Sequence, residues 1–408
     1  LATRFVAPSG APRLRSLSTY RSGELRGDTE ALIQQSVSAG QVALIDLKPL
    51  EPPQLEALLA GLGVALPSGL SALLGRHSGG NPLFALETLR SLIERGDLTR
   101  DLLTERLPVP KRLEALVAGR LERLTPGAQR LVRTASVAGV DFSLELAASV
   151  LDANVLDLSE ALIELEVAQV MRGVHFAHDL LSEAAFNTVP APIRTVLHRR
   201  IAEYLEGTST EPARVAHHWL ETGDERRAAP QLVAAAESAQ SQFRLEDAAN
   251  FLERAAVIFE RHAQRDEEFS ALLVLCESLM QFDFGERHER VTKRLMELAV
   301  NPLERAQARH VRAELLNMLE HAEDALSVGR EGLREAQSAG DEPLQAQLHG
   351  DIGISLWTLE RLGEAHTELA KALEFTQRGD DPLETAVALT NLAVVLDHLD
   401  RPREAIVF

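Results

Sequence analysis

Residues 78–84 read SGGNPLF and lead into a run, Ala85–Ile93, whose apolar side chains recur at helical spacing. Two glycines let the backbone turn freely, and Pro82 has a fixed φ that suits the first turn of a helix. By itself this stretch predicts a well-capped helix start. Two other segments, Leu14–Arg21 upstream and Phe176–Leu181 downstream, are needed to interpret this stretch, and the rest of the chain lies around these three segments.

The composition is typical of a helical globular protein. The chain has 408 residues, of which 45% are hydrophobic, 25% charged and 4% aromatic, so it is long enough for several domains, and its abundant Leu and Ala favour helix. Its formal net charge of −19 repels phosphate backbones, so we expect no direct contact with nucleic acid. The single cysteine, Cys276, excludes disulfide frameworks, and no apolar run reaches the length of a membrane span. We therefore expect a cytoplasmic protein without membrane association.

The chain is predicted to be mostly α, with a remnant of an α/β domain at its start. Residues 1–50 contain an alternating segment at 14–20 that predicts a strand, then a helix from Asp28. The short apolar run Val42–Leu47 predicts a buried parallel strand. We interpret this part as the end of an α/β nucleotide-binding domain.

Two helical domains are predicted next. Residues 51–106 predict three helices that form a lid, and residues 107–206 predict further helices and a small hairpin around Gly173. Helices followed by a hairpin are the pattern of a winged-helix domain. Acidic residues outnumber basic ones by 13 to 10 in 107–206, which favours a structural wing over one that reads DNA.

Residues 207–408 predict an α-solenoid of helix pairs similar to the tetratricopeptide repeat. Small and apolar side chains recur there at intervals of 40 residues. These side chains are Ala325, Ala365 and Ala405, and Leu319, Leu359 and Leu399. Small residues let two antiparallel helices approach closely, and the next pair then stacks on them. Such a solenoid predicts a surface for a protein or peptide partner.

The chain contains no motif for catalysis or metal binding. Its four lysines never follow a glycine, so the phosphate-binding loop G-x-x-x-x-G-K-[ST] is absent from the sequence. His288-Glu289 lacks the second histidine of a zinc-protease motif, and the neighbours His217 and His218 point apart on a helix. We therefore expect no catalytic residues, no metal, and no useful ATP affinity or bound cofactor for this chain alone.

In their order along the chain, the three segments resemble those of STAND signal-transduction ATPases of the large bacterial regulator type, a branch of the AAA+ superfamily. The resemblance extends from the sensor-like strand to the repeats. It implies that Arg21 faces the terminal phosphate and that Gly80-Asn81-Pro82 is the G-x-P lid motif, whose proline packs near the adenine. It also implies that His178 approaches the β-phosphate of bound ADP.

Each of these residues has a simpler interpretation. Arg21 also fits an exposed arginine at the end of a strand. Gly80-Asn81-Pro82 also fits a helix start with no ligand. His178 also fits a side-chain cap of the helix predicted over Asp179–Val189.

The resemblance implies the regulatory part of a nucleotide-controlled signalling switch, a transcriptional regulator with the repeats as its sensor. The intact protein would bind ATP or ADP and form a homo-oligomer. Both ends of the chain have the sequence of a helix interior, which indicates a truncated chain. We therefore expect the phosphate-binding loop, any ATPase activity and the output domain to depend on sequence outside residues 1–408. The alternative is a nucleotide-independent scaffold of tetratricopeptide repeats. A free-standing enzyme is a third hypothesis, which the missing motifs disfavour.

Overall fold

The computed structural model describes residues 27–45, 47–62, 67, 69–95, 111–379, 382–401 and 404. The chain divides into two compact units, Leu1–Tyr204 and Leu205–Phe408. Arg21, and with it the strand predicted over 14–20, lies outside the described residues. No helix among the described residues has the length and hydropathy to cross a membrane.

The described residues are mostly helical, which confirms the predicted fold class. From residue 27 to residue 206 the helices are α1 Gly27–Ser38, α2 Pro52–Ala60, α3 Leu70–Ser78, α4 Pro82–Arg95, α5 Lys111–Leu121, α6 Pro126–Ala138, α7 Leu144–Leu151, α8 Val155–Val167, α9 Asp179–Asn187 and α10 Ala191–Glu206. Within the described ranges the only strands are β1, Met171–Arg172, and β2, His175–Phe176.

The run Val42–Leu47 is not the buried strand that its sequence predicts. Residues 42–45 and 47 form no strand, and the side chains of Ile45 and Leu47 are 70% and 84% exposed. A strand needs a neighbour for its hydrogen bonds and a packed layer for its side chains. Among the described residues this run has neither, so the prediction of a buried parallel strand is wrong.

Helices α2, α3 and α4 share a core of leucines, as the three-helix prediction for this region requires. Helix α3 contacts both α2 and α4. Leu55 and Leu59 of α2, Leu74 of α3, and Leu89 and Leu92 of α4 are buried in one cluster. Leucines at this spacing give each helix one apolar face, and burying those faces together stabilises the three helices.

Helix α6 packs against α8 and α9, with the predicted hairpin between the last two. The Thr125 hydroxyl caps α6 by accepting from Ala128 N at 3.3 Å and donates to the Glu164 carboxylate of α8 at 2.5 Å. Gly173 turns the hairpin with φ +58°, and its N–H donates to Glu166 at 2.8 Å. The hairpin predicted around Gly173 is therefore confirmed. The winged-helix interpretation of this region stays a prediction.

The second unit is an α-solenoid. Its helices are α11 Pro212–Thr222, α12 Glu225–Ser241, α13 Leu245–Arg261, α14 Arg265–Leu279, α15 Glu286–Leu298, α16 Pro302–Met318, α17 Ala322–Ala339, α18 Glu342–Thr358, α19 Leu362–Gly379 and α20 Pro382–His398. Each helix contacts the next one along the chain, and α14, α16, α18 and α20 also contact one another in series. Stacked helix pairs of this kind bury a continuous core between neighbours.

Three turns, at the ends of α16, α18 and α20, repeat one backbone geometry at the predicted period. Glu320, Glu360 and Asp400 have positive φ values of 62°, 59° and 58°. The N–H of the residue that follows each of them donates to a carbonyl five residues back, at 2.9–3.0 Å. This closure satisfies a carbonyl at the helix end in the manner of a Schellman motif. The same turn therefore recurs every 40 residues.

Small residues set how closely the paired helices approach. A Cβ atom on Gly353 of α18 would lie 2.5 Å from Leu369 Cγ of α19, and one on Gly332 of α17 would lie 2.8 Å from Leu348 Cδ2 of α18. Ala365 is fully buried in the same cluster as Leu369. The prediction that small side chains allow close packing is confirmed at these positions.

This packing gives a matched pair of substitutions within α18. We expect Gly353→Ala to destabilise the second unit by about 1–3 kcal/mol, because the added methyl overlaps Leu369. Gly350→Ala should instead stabilise it by about 0.5–1 kcal/mol, because nothing lies within 4 Å of the added methyl and alanine favours helix. Urea unfolding followed by tryptophan fluorescence measures both, since Trp219 and Trp357 both lie in this unit. Equal effects of the two substitutions would contradict this account.

Candidate functional site

The predicted site residues Gly80, Asn81 and Pro82 form the turn between α3 and α4. Gly79 and Gly80 have φ values of +57° and +76°, which favour glycine. The Gly80 carbonyl accepts from Leu50 N at 2.8 Å, and a Cβ atom on Gly80 would lie 2.4 Å from Leu50 O. Glycine is therefore required here for the close approach of the backbone at Leu50.

Asn81 and Pro82 start α4. The Asn81 Oδ1 atom accepts from Leu83 N at 3.0 Å and from Phe84 N at 3.4 Å, which satisfies amides that a helix start leaves unpaired. Pro82 is the first residue of the helix, where its missing N–H costs nothing. The simpler interpretation, a capped helix start, is therefore confirmed for both residues. A role toward a nucleotide stays a prediction.

The glycine turn and His178 lie next to each other. A Cβ atom on Gly79 would lie 2.7 Å from His178 Cβ, so the histidine packs directly on this glycine. The ring of Phe84 meets the His178 ring edge-on, with centroids 4.9 Å apart, and Phe84 also packs on Leu180. The structure thus brings together two of the three segments that were singled out from the sequence, and the third contains Arg21.

His178 precedes α9 but does not cap it with its side chain. Its backbone has the extended conformation of an N-cap residue, with φ −164° and ψ 159°, yet its imidazole makes no cap hydrogen bond. The Nδ1 atom is buried and has no hydrogen-bond partner. His178 is therefore the N-cap residue of α9, as the capping interpretation places it, but its side chain makes no cap hydrogen bond, and its buried nitrogen needs another explanation.

The surroundings of His178 disfavour its protonation. Burial, together with the positive charges of Arg120 and Arg172 and an unfavourable interaction with His77, lowers its pKa to about 4. The imidazole is therefore neutral at pH 7. A neutral ring with one unpaired nitrogen, surrounded by cationic groups, is suited to accept or donate a hydrogen bond to an incoming group.

His77 is a site residue that the sequence analysis missed. It lies in the last turn of α3, is 7% exposed, and its Nε2 atom is buried without a hydrogen-bond partner. Burial lowers its pKa, although the Asp179 carboxylate acts in the opposite direction. Its position two residues before Gly79 was the only available signal, because the sequence does not show that α3 meets the start of α9.

The arrangement of these groups favours an anion over a metal. The positive charges near His178 come from α5 and β1, and α9 begins beside it with the partial positive charge of a helix N-terminus. Within the described ranges no three potential metal-ligating side chains cluster together. The positive charge around His178 therefore favours an anionic ligand over a cationic one.

In the second unit, alternate helices are joined by a row of polar side chains that we call the even-helix row. Its contacts are Gln240–Ser278 at 2.8 Å, His310–Asp351 at 2.7 Å, Ser355–Asn317 at 2.8 Å and Gln347–Glu384 at 3.3 Å. Such contacts fix the spacing of the helices that face the same side of a solenoid.

The His310–Asp351 pair is the buried charged contact of this row. Burial would lower the pKa of His310, but the charge and hydrogen bond of Asp351, with the charges of Glu314 and Glu384, raise it to about 9. His310 is therefore protonated at pH 7, in contrast to His178. The difference comes from the sign of the neighbouring charges.

No family model matches the chain, and no curated protein matches it. A Signal Transduction ATPase with Numerous Domains (STAND) protein with a tetratricopeptide repeat sensor, from Pyrococcus horikoshii, aligns with a TM-score of 0.36 and 14% identity. That alignment covers 90% of this chain and 60% of the other, so the chain spans less than two thirds of that protein. The apo form of RapI aligns with a TM-score of 0.28 and 15% identity, covering 72% of this chain and 74% of RapI. A Rap protein complexed with competence and sporulation factor aligns with a TM-score of 0.26, 14% identity and the same two coverages, 72% and 74%.

Similarities of this size assign the chain to no family. The helical-repeat fold of the second unit therefore rests on its own helix contacts, and the nucleotide-related interpretation of the first unit rests on the residues around His178.

We expect acid to destabilise the first unit through His178. The pKa of this histidine is about 4 in the folded chain and 6.5 in the unfolded chain. The contribution of the neutral His178 to the free energy of unfolding is therefore complete above pH 6.5 and is lost as the pH falls toward 4. The loss amounts to about 2–3 kcal/mol. Urea unfolding followed by circular dichroism at pH 7.5 and pH 4 measures it, with His178→Gln expected to lack this component. The exposed His321 provides the control variant, His321→Gln, which should keep it.

The second unit should respond to pH in the opposite sense. Because the pKa of His310 is raised, the contribution of its positive charge to the free energy of unfolding is complete below pH 6.5 and is lost as the pH rises through about 9. We expect a loss of up to about 3 kcal/mol between these pH values. Tryptophan fluorescence during urea unfolding reports on this unit. The double variant His310→Gln/Asp351→Asn keeps a hydrogen-bonding pair without charge, and a pH dependence that survives in it would contradict the assignment.

Proposed function

We propose that this chain is the regulatory part of a STAND-type signalling ATPase, in which the first unit responds to bound ATP or ADP and the second unit binds a protein or peptide partner. The observation that carries the proposal is the direct contact of His178 with Gly79. In the resemblance drawn from the sequence, the lid motif and the histidine motif both face the nucleotide, so the proposal requires that they lie together.

The chemistry around His178 supports a diphosphate as the ligand. A neutral imidazole with an unpaired nitrogen can share a proton with a phosphate oxygen, and the nearby arginines supply positive charge. Arg21 is proposed to face the terminal phosphate, and Pro82 to pack near the adenine. In this role the site responds to whether ADP is bound. Binding shifts the protein between two arrangements only if the two arrangements bind the nucleotide with different affinities.

The remaining parts of the proposal follow the same resemblance. Residues 107–206 serve as the winged-helix domain that carries the histidine, and the solenoid serves as the sensor. The intact protein acts as a transcriptional regulator, forms homo-oligomers when nucleotide exchange opens it, and works in the cytoplasm. The even-helix row fixes the shape of the solenoid face that a partner would meet.

Nucleotide binding by the longer encoded protein tests this proposal. We expect the reading frame upstream of residue 1 to encode G-x-x-x-x-G-K-[ST], and the protein that includes it to bind ADP. Pro82→Ala and His178→Ala should each weaken that binding at least about tenfold, since each removes a contact worth about 1.4 kcal/mol or more. Calorimetric titration with ADP measures the affinity, with His321→Ala as the control variant. Wild-type affinity in both variants would show that the site is wrongly assigned.

A second candidate function is a nucleotide-independent scaffold. It is favoured by the complete structural roles that Gly80, Asn81 and Pro82 already have as a turn and helix start. For this function, a partner bound by the full chain should be held with the same affinity with and without ADP. A change in partner affinity on adding ADP would exclude it.

A further inference from the structure

The first unit buries a second histidine whose polar nitrogen has no hydrogen-bond partner. His77 is more than nine-tenths buried, and its Nε2 atom is unpaired. Burying a polar group without a partner costs about 1–3 kcal/mol. A structural histidine is ordinarily bonded through both nitrogens or through water, so this nitrogen points to a group that completes it.

His77 and His178 belong to one electrostatic environment. A charge on His77 acts on His178, although the two residues are 101 positions apart in sequence. They are held together by the packing of α3 on α9, where Gly79 meets the Cβ atom of His178. The two imidazoles are therefore close enough for a charge on one to act on the other, and each has a buried nitrogen without a hydrogen-bond partner.

The groups that act on this pair come from several of the elements packed around it. Arg120 of α5 and Arg172 of β1 act on His178 as positive charges, and Asp179 of α9 acts on His77 as a negative one. Helix α4 contributes the apolar ring of Phe84. The start of α9 adds its partial positive charge, since no side chain of its N-cap residue covers the first amides.

We propose that His77 is a second anion-binding residue of the His178 site, and that each of the two histidines takes up one proton from solvent when an oxyanion of the phosphate class binds. The inference rests on the proposed function, since it concerns the diphosphate end of the same site. It adds His77 to the site and makes the affinity for the anion depend on pH, and the resemblance implies neither.

The proton balance of binding follows from the charges. In the free site both imidazoles are neutral, because burial and the arginines oppose protonation. A bound oxyanion reverses the local charge, so each imidazole takes one proton from water and donates it in a charge-assisted N–H···O bond to the anion. Both protons come from solvent, and no other covalent bond changes. Binding therefore strengthens as the pH falls, by about tenfold per pH unit for each proton taken up.

The test uses sulfate, a phosphate-like probe whose own charge does not change between pH 5 and pH 7. We expect sulfate to shift the imidazole NMR signals of both His77 and His178 in the full chain. The affinity should rise more than about tenfold per pH unit as the pH falls across that range, because two imidazoles contribute. His77→Gln and His178→Gln should each reduce this slope to about tenfold per pH unit or less, whereas His321→Gln should leave it unchanged.

The outcomes separate this inference from the proposed function. If sulfate shifts His178 alone and His77→Gln keeps the wild-type slope, His77 is not part of the site, while the anion site at His178 stands. If sulfate shifts neither imidazole, the inference is overturned, while the diphosphate site is decided separately by the ADP titration of the longer protein. The NMR signal of His77 in the wild-type chain answers the question directly, so the result does not depend on the folding of the His77→Gln variant.

Discussion

Close approach of backbones, made possible by residues without large side chains, is the constraint on which both units depend. In the solenoid, Gly353 and Gly332 leave room for leucines of the neighbouring helices at distances that a methyl group would prevent. In the first unit the same device operates at Gly79 and Gly80, which admit His178 and the backbone at Leu50. The two units differ in the kind of side chain that occupies the space beside the glycine. An apolar side chain adds to a core, whereas an imidazole brings an unpaired nitrogen into a buried position.

Buried histidines in this protein are set to opposite charge states by their neighbours. His178 faces arginines and stays neutral, while His310 faces Asp351 and is protonated at neutral pH. Burial disfavours the charged form in both cases, so the neighbouring charges decide the outcome. A neutral histidine among cations is poised to respond to an anion, and a charged one held by a carboxylate fixes two helices of the solenoid.

The sequence predicts those parts of the fold that depend on local pattern. Helical spacing of apolar residues, the helix start at Asn81, the hairpin at Gly173 and the 40-residue period are all present as expected. The strand over Val42–Leu47 is wrong because strand formation depends on a distant partner, which composition alone does not reveal. At the candidate site, Gly80 and His178 were found from motifs. His77 was missed because its proximity to His178 depends on the packing of α3 on α9, which the sequence does not show.

The left-handed turns at Glu320, Glu360 and Asp400 have a consequence for how the solenoid holds together. A residue with a Cβ atom prefers other conformations by roughly 1–2 kcal/mol, so none of these turns is the local preference of its own sequence. Helices α16 and α17, and likewise α18 and α19, pack on one another beside the first two of these turns, and this packing offsets the cost of the turn. Because each repeat is stabilised by contact with its neighbours, an internal repeat should resist unfolding longer than one at an end of the array.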